Sequence, residues 1–153
     1  NEVLSFELSD ENYGDHRISF GPRAGEFNEQ LRKTVEVPST KLDSILANDL
    51  DKNLFIWMDT QGFEGYILSG AKQILARSFP MVLEFWPYGM ARSGAYPLLK
   101  AALLNGRYGQ WADLSDKNPV LRPLDAAALD ALHAALTENA AFTDLLLLAG
   151  TPD

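Results

Sequence analysis

Apolar and polar residues alternate at the start of the chain and then give way to longer apolar blocks. In "VLSFELS" (3–9), Leu4, Phe6 and Leu8 fall on one side and Ser5, Glu7 and Ser9 on the other, the pattern of a half-buried strand. Turn residues in "DENYGDHRISF" precede a short second strand from about Arg17 to Phe20, which predicts a hairpin. Residues 21–33 keep no period and read as a loop, and "TVEVPS" is a third short strand. "STKLDSILANDL" predicts a helix, with Thr40 as its cap and Asp43 three residues on in a capping-box relation. "NLFIWM" is continuously apolar, as a strand buried on both faces would be.

Phe63, Ile67, Ala71, Ile74 and Leu75 then recur at helical spacing, and "PMVLEFWP" is a second buried strand bounded by prolines. Residues 95–104 predict a helix, "GRYGQWADL" a weaker strand, "LDAAALDALHAAL" a helix and "DLLLLAG" a closing apolar strand. From residue 40 onward helix and strand therefore alternate. Such alternation predicts an α/β sheet covered by helices on both faces. Trp57 and Trp111 are expected in the core, and the acids of "DLSDKN" in a solvated loop.

Composition narrows the chemistry. The 153 residues fit one unit and contain no cysteine, so disulfides, thiolate zinc sites and a cysteine nucleophile are excluded. His16 and His133 lack metal-ligand spacing. A net charge of -8 argues against nucleic acid as partner. No apolar run suits a bilayer span and no signal peptide is visible, so no membrane partner and a cytoplasmic location are expected. The chain begins at Asn1 within a strand-like run, which leads us to expect a preceding segment.

The candidate chemistry gathers in "DTQGFEG" (59–65). In open α/β sheets ligands sit outside the carboxyl ends of the strands, and Asp59 ends the most apolar one. An acid directly after "LFIWM" must be solvated, paired or used. Gly62 allows a positive φ or a close approach to a ligand. Glu64 falls in a first helical turn, where favourable dipole electrostatics explain it better than catalysis. Glu84 interrupts the second buried strand, so it needs a partner or an opening to the crevice. Trp86 after it reads equally as a packed corner or as a substrate-facing wall. In "YGDHR", His16 is a possible general base. A tight turn held by Asp15 and leading through Arg17 into the strand is the simpler reading.

"LFIWMDTQGFEGYILSGAKQIL" followed by "FPMVLEFWP" closely resembles the FkbM family of S-adenosyl-L-methionine-dependent methyltransferases. The residues that carry the resemblance are Asp59, Gly62, Glu64, Leu68, Gly70, Ala71, Pro80 and Glu84. "VPSTKLDSIL" and "SDENYGDHRI" look like more weakly matched segments of the same family, so the resemblance runs from about residue 4 to the end. Two departures stand out. Trp57 occupies the position where members often carry a Lys, and no glycine-rich cofactor loop occurs anywhere in the chain.

The resemblance implies a Rossmann-like methyltransferase sandwich. Residues 1–153 would form its carboxyl-terminal portion, a partial sheet lacking the first strands. "NLFIWM" would be the fourth strand, "MVLEFW" the fifth, and the last two strands a reversed hairpin. It further implies S-adenosyl-L-methionine as cofactor and O-methylation of a small molecule, such as a sugar or polyketide hydroxyl. Fusion to, or association with, glycan-biosynthesis enzymes would fit that role. Asp59 would orient or deprotonate the acceptor and Gln61 would hold acceptor or cofactor. Glu64, Glu84, Trp86, His16 and Arg17 would bind substrate or support the site. The main cofactor-binding residues would lie outside this chain, which alone is expected to be inactive. One Asp and one Gln make a poor magnesium site, so no metal is expected. A non-catalytic accessory domain of the same fold is the alternative, and a hydrolase pairing Glu64 with Glu84 a more distant one.

Overall fold

The computed structural model describes residues 2–150; Asn1 lies outside the described residues. The described residues form two sheets and six α-helices. The first sheet is small and antiparallel, in the order β2-β1-β3, with β1 Glu2–Leu8, β2 Arg17–Ile18 and β3 Lys33–Ser39. The hairpin expectation holds, since β1 pairs with β2 and places Glu7 opposite Arg17. That pairing reverses the expected burial. Glu7 and Ser9 are buried whereas Leu4, Phe6 and Leu8 are only half-buried. An opposite-charge cross-strand pair lets a carboxylate take the inner side.

One short helix, α1 (Leu42–Ile45), follows. It is a single turn, and neither Thr40 nor its own N-cap Lys41 caps it through a side chain. Asp43 instead reaches a different helix, α3 (Lys72–Arg77), and accepts from the Gln73 and Ile74 amides at 3.0–3.2 Å. Those are orphan donors of a helix start that its own N-cap Ala71 cannot satisfy.

The second sheet has the order β4-β5-β8-β6-β7. Its strands are β4 Ile56–Met58, β5 Met81–Phe85, β6 Tyr108–Asp113, β7 Arg122–Pro123 and β8 Thr143–Ala149. β4 and β5 run parallel, while β8 lies antiparallel between β5 and β6. This is the expected reversed arrangement of the last two long strands. The connecting helices are α2 Glu64–Ser69, α3, α4 Pro87–Ser93, α5 Tyr96–Asn105 and α6 Ala126–Glu138. The single helix expected after "DTQGFEG" is split at Gly70–Ala71 into α2 and α3, and α4 fills the stretch after "VLEFWP". None of these helices is long and apolar enough to cross a membrane.

The core lies on one face of this sheet. Met58, Met81, Leu83, Phe85, Leu145, Leu147 and Trp111 pack there against Leu68, Met90, Leu99, Leu103 and Leu129 from the helices. Each fully buried Leu contributes about 2 kcal/mol. α2 approaches α5 closely because Gly65 has no side chain: a Cβ there would meet the Ala95 carbonyl oxygen at 2.4 Å. Trp111 is in the core, but Trp57 is 65% exposed. It pairs with Val82 in an edge strand, so its alternation points it away from the core cluster. "NLFIWM" is therefore covered on one face only, with Phe55 also exposed.

Candidate functional site at the carboxyl edge of the large sheet

The parallel strands β4 and β5 end side by side, and the loop between β4 and α2 folds back across both. Asp59 follows the last residue of β4 and is exposed. Gln61 adopts a left-handed backbone conformation with φ 55°. Its side-chain amide donates to Asp59 Oδ1 at 2.8 Å and to Glu84 Oε1 and Oε2 at 3.2 and 3.1 Å. One neutral amide thus bridges the two carboxyl groups that close the strand ends.

Glu64 holds this loop in shape. It is fully buried at the start of α2, and its Oε1 accepts from the Thr60 amide (2.9 Å), the Thr60 hydroxyl (2.8 Å) and the Gly62 amide (3.3 Å). Burial raises its pKa above the ordinary glutamate value, against the opposing effect of those hydrogen bonds. Gly62 has φ +92°, and a Cβ there would meet the carbonyl carbon of Gly89 at 2.3 Å. The expected positive φ is thus present, and the missing side chain allows close contact with α4. The Ser93 hydroxyl completes the attachment by donating to the Gly62 carbonyl at 2.7 Å.

Glu84 is 7% exposed. Burial first, and then the charges of Asp59, Glu64 and Asp144, push its pKa up to about 8. Asp144 is its direct cross-strand neighbour at the start of β8, and burial with Asp59 and Asp113 raises its pKa as well. Asp113 ends β6, where hydrogen bonds from Thr143 and Ser115 outweigh burial and lower its pKa. Four acids therefore line one edge across adjacent strands. Asp144 was not singled out in the sequence, although it borders "LLLL" just as Asp59 borders "LFIWM".

The small sheet closes one side of this edge. The Arg17 guanidinium lies over the Trp86 ring at 5.2 Å and the Phe27 ring at 5.9 Å. Its Nε donates to Glu7 Oε1 and its Nη2 to Glu29 Oε1, both at 3.1 Å. The Tyr88 hydroxyl donates to Glu29 at 2.6 Å, and Arg92 Nε lies 3.4 Å from the same carboxylate. Burial opposes the charge on Glu29, but these partners hold its pKa below the ordinary value. The network ties β1, β2 and the following loop to α4.

The structure thus brings Asp59, Gln61 and Glu84 into direct contact and joins Glu64 to them through the loop backbone. Trp86 and Arg17 stack at one side. His16 sits apart in the hairpin turn, where its Nδ1 accepts from the Ser9 amide at 3.0 Å and its ring packs edge-on against Phe6 and Tyr13. No group of three or more His, Asp or Glu among the described residues is placed to hold a metal ion. Tyr88, Arg92 and Glu29 carried no signal in sequence, because their partners lie far along the chain.

A search of curated proteins finds no match to the chain. The FkbM methyltransferase domain matches it over residues 4–96, which span both β4 and β5 and the loop that bridges them. The chain belongs to the FkbM methyltransferase domain family.

Proposed function

We propose that the protein carrying this chain transfers a methyl group from S-adenosyl-L-methionine to a hydroxyl of a small molecule, such as a sugar or polyketide, and that the acceptor meets Asp59. The observation that supports this most is the Gln61 bridge, which holds Asp59 and Glu84 together at the ends of two parallel strands. The donor set suits the cofactor's cationic end, because the carboxyl groups of Asp59, Asp144 and Asp113 share one edge across adjacent strands. The chain reads as the acceptor-side portion of the domain, inactive in isolation.

When bound, the cofactor supplies an electrophilic methyl group on a sulfonium sulfur. The chain's own residues position and deprotonate the acceptor. Asp59, exposed and restrained by Gln61 at Oδ1, accepts the hydroxyl hydrogen bond with its other oxygen and takes the proton as the oxygen gains its new bond. Gln61 fixes the direction of that carboxylate, which matters because alignment supplies much of the rate of a displacement. Glu84 keeps its proton near neutral pH, which limits the negative charge beside Asp59. Glu64 and Gly62 act through the loop, not on the acceptor.

Incubating the complete protein with isotopically methyl-labelled cofactor and a panel of hydroxyl compounds tests the reading. Label should appear on oxygen in at least one acceptor. Label confined to nitrogen or carbon, or to none, would contradict it.

A further inference from the structure

One buried cationic nitrogen of the small sheet has no hydrogen-bond partner among the described residues, and its residue lines a crevice. Arg17 is 4% exposed, and its Nε and Nη2 are occupied by Glu7 and Glu29. Its Nη1 is buried and has no hydrogen-bond partner among the described residues. A buried cationic donor without an acceptor is costly, and such a group in a folded protein calls for a partner. Arg17 borders a narrow crevice together with Gln61, Gly89, Arg23 and Arg92, and with the Glu7 carboxylate that it already pairs. The crevice has about 10 Å³ of space, room for roughly one water-sized oxygen.

The charges around it favour an anion. Arg92 uses its guanidinium on the Ala24 and Arg23 carbonyls at 3.3 and 3.1 Å, which brings the Arg23 backbone to the same wall. The Arg23 side chain is exposed and forms no ion pair among the described residues. Arg17, Arg23 and Arg92 thus all border one crevice of a chain whose net charge is -8. Gln61 forms part of its wall while bridging Asp59 and Glu84, so the crevice and the acid edge share a residue.

We propose that this crevice is an acceptor subsite that takes one oxygen of a carboxylate or phosphate, so that the acceptor is an anionic hydroxyl compound of the sugar-acid or sugar-phosphate class. The inference rests on the reading of Asp59, Gln61 and Glu84 as the acceptor site. An arginine edge matches an oxyanion in charge and geometry. A neutral acceptor leaves Nη1 unpaired, so the subsite discriminates by penalty as well as by attraction.

The test is equilibrium titration of the complete protein, without cofactor, by glucuronate, glucose 6-phosphate and glucose, read by calorimetry and by the fluorescence of Trp86 beside Arg17. At least one anion should bind about tenfold more tightly than glucose, and the preferred one identifies carboxylate or phosphate as the group taken. Arg23→Gln, a change at an exposed side chain, should weaken that anion about threefold or more and leave glucose unchanged. Arg17→Lys keeps the charge but replaces three guanidinium nitrogens by one ammonium and should also weaken the anion; should it fail to fold, the Arg23→Gln result decides alone. Equal binding of all three sugars, or an anion affinity indifferent to Arg23→Gln, would overturn the subsite. Methyl transfer to neutral acceptors with no anion preference would also overturn it while leaving the proposed activity standing. Anion binding that depends on Arg23, without any methyl transfer, would uphold the subsite and remove the proposed activity.

Discussion

The Gln61 amide donates to both carboxyl oxygens of Glu84, 23 residues further along the chain, at 3.2 and 3.1 Å. A left-handed residue in a turn thereby reaches the end of the neighbouring strand and meets a carboxyl group whose pKa is pushed up to about 8. That carboxyl group is neutral at physiological pH and gives the site a measurable signature in stability.

The folded state binds the Glu84 proton more tightly than the unfolded chain does. The resulting stabilisation is complete below the unfolded pKa of about 4.5 and is lost as pH rises through about 8. Glu84→Gln imitates the protonated form and keeps an oxygen acceptor for Gln61. Wild type and variant should be closest in stability at about pH 3.5, well below the unfolded pKa. Above that the variant should gain on wild type by up to about 1.4 kcal/mol per pH unit until about pH 8. Chemical denaturation across this range measures the gap, and a gap independent of pH would contradict the assignment.

Glu64 is expected to act through the loop. Glu64→Gln keeps an oxygen where three donors converge and should cost about 1 kcal/mol of stability, with methyl transfer reduced only a fewfold. Glu64→Ala strands the Thr60 and Gly62 amides and opens a cavity, and should cost about 3 kcal/mol. Denaturation midpoints of the two variants check the order. Equal losses would mean that the hydrogen bonds to Oε1 do not hold the loop.

Gly62→Ala places a Cβ at a positive φ and 2.3 Å from the Gly89 carbonyl carbon. We expect a loss of at least about 2 kcal/mol, since both the backbone conformation and the contact with α4 are denied to alanine. Thermal unfolding gives the result directly; a stability within a few tenths of wild type would show that the two backbones part readily.

Asp43→Ala should destabilise α3, although residue 43 lies in α1. The loss of a carboxylate that caps two amides costs about 1 kcal/mol. Amide exchange should speed up at Gln73 and Ile74 more than at residues 42–45. The reverse pattern would restore Asp43 to the cap of its own helix.

Much of this architecture was legible in sequence because apolar blocks mark buried strands wherever they lie. "MVLEF" and "DLLLLA" were read as strands, and both sit in the centre of the sheet. "NLFIWM" misled on burial, since an apolar run does not distinguish a central strand from an edge strand. Trp57 is exposed because it stands on the face of β4 turned away from the core cluster, in a strand at the edge of the described sheet. Asp43 misled because a capping pattern shows that a carboxylate can cap, and the fold decides which helix it reaches. In the site, Asp59 was legible as an acid at the end of an apolar run and Glu84 as an acid that interrupts a buried strand. Asp144 followed the same rule as Asp59 and was missed. The contacts of Tyr88 and Arg92 with Glu29 cross 59 or more residues, and no local pattern could announce them.

The proposed role of Asp59 is tested most directly by single-turnover methyl transfer in the Asp59→Asn variant of the complete protein, with cofactor affinity measured on the same preparation. Asparagine keeps the size and the reach of the side chain and removes the proton acceptor. The rate of the chemical step should fall by about a hundredfold or more, with cofactor affinity within about tenfold of wild type. An Asp59→Asn variant that transfers methyl groups at the wild-type rate would contradict the assignment of Asp59 as the acceptor's base.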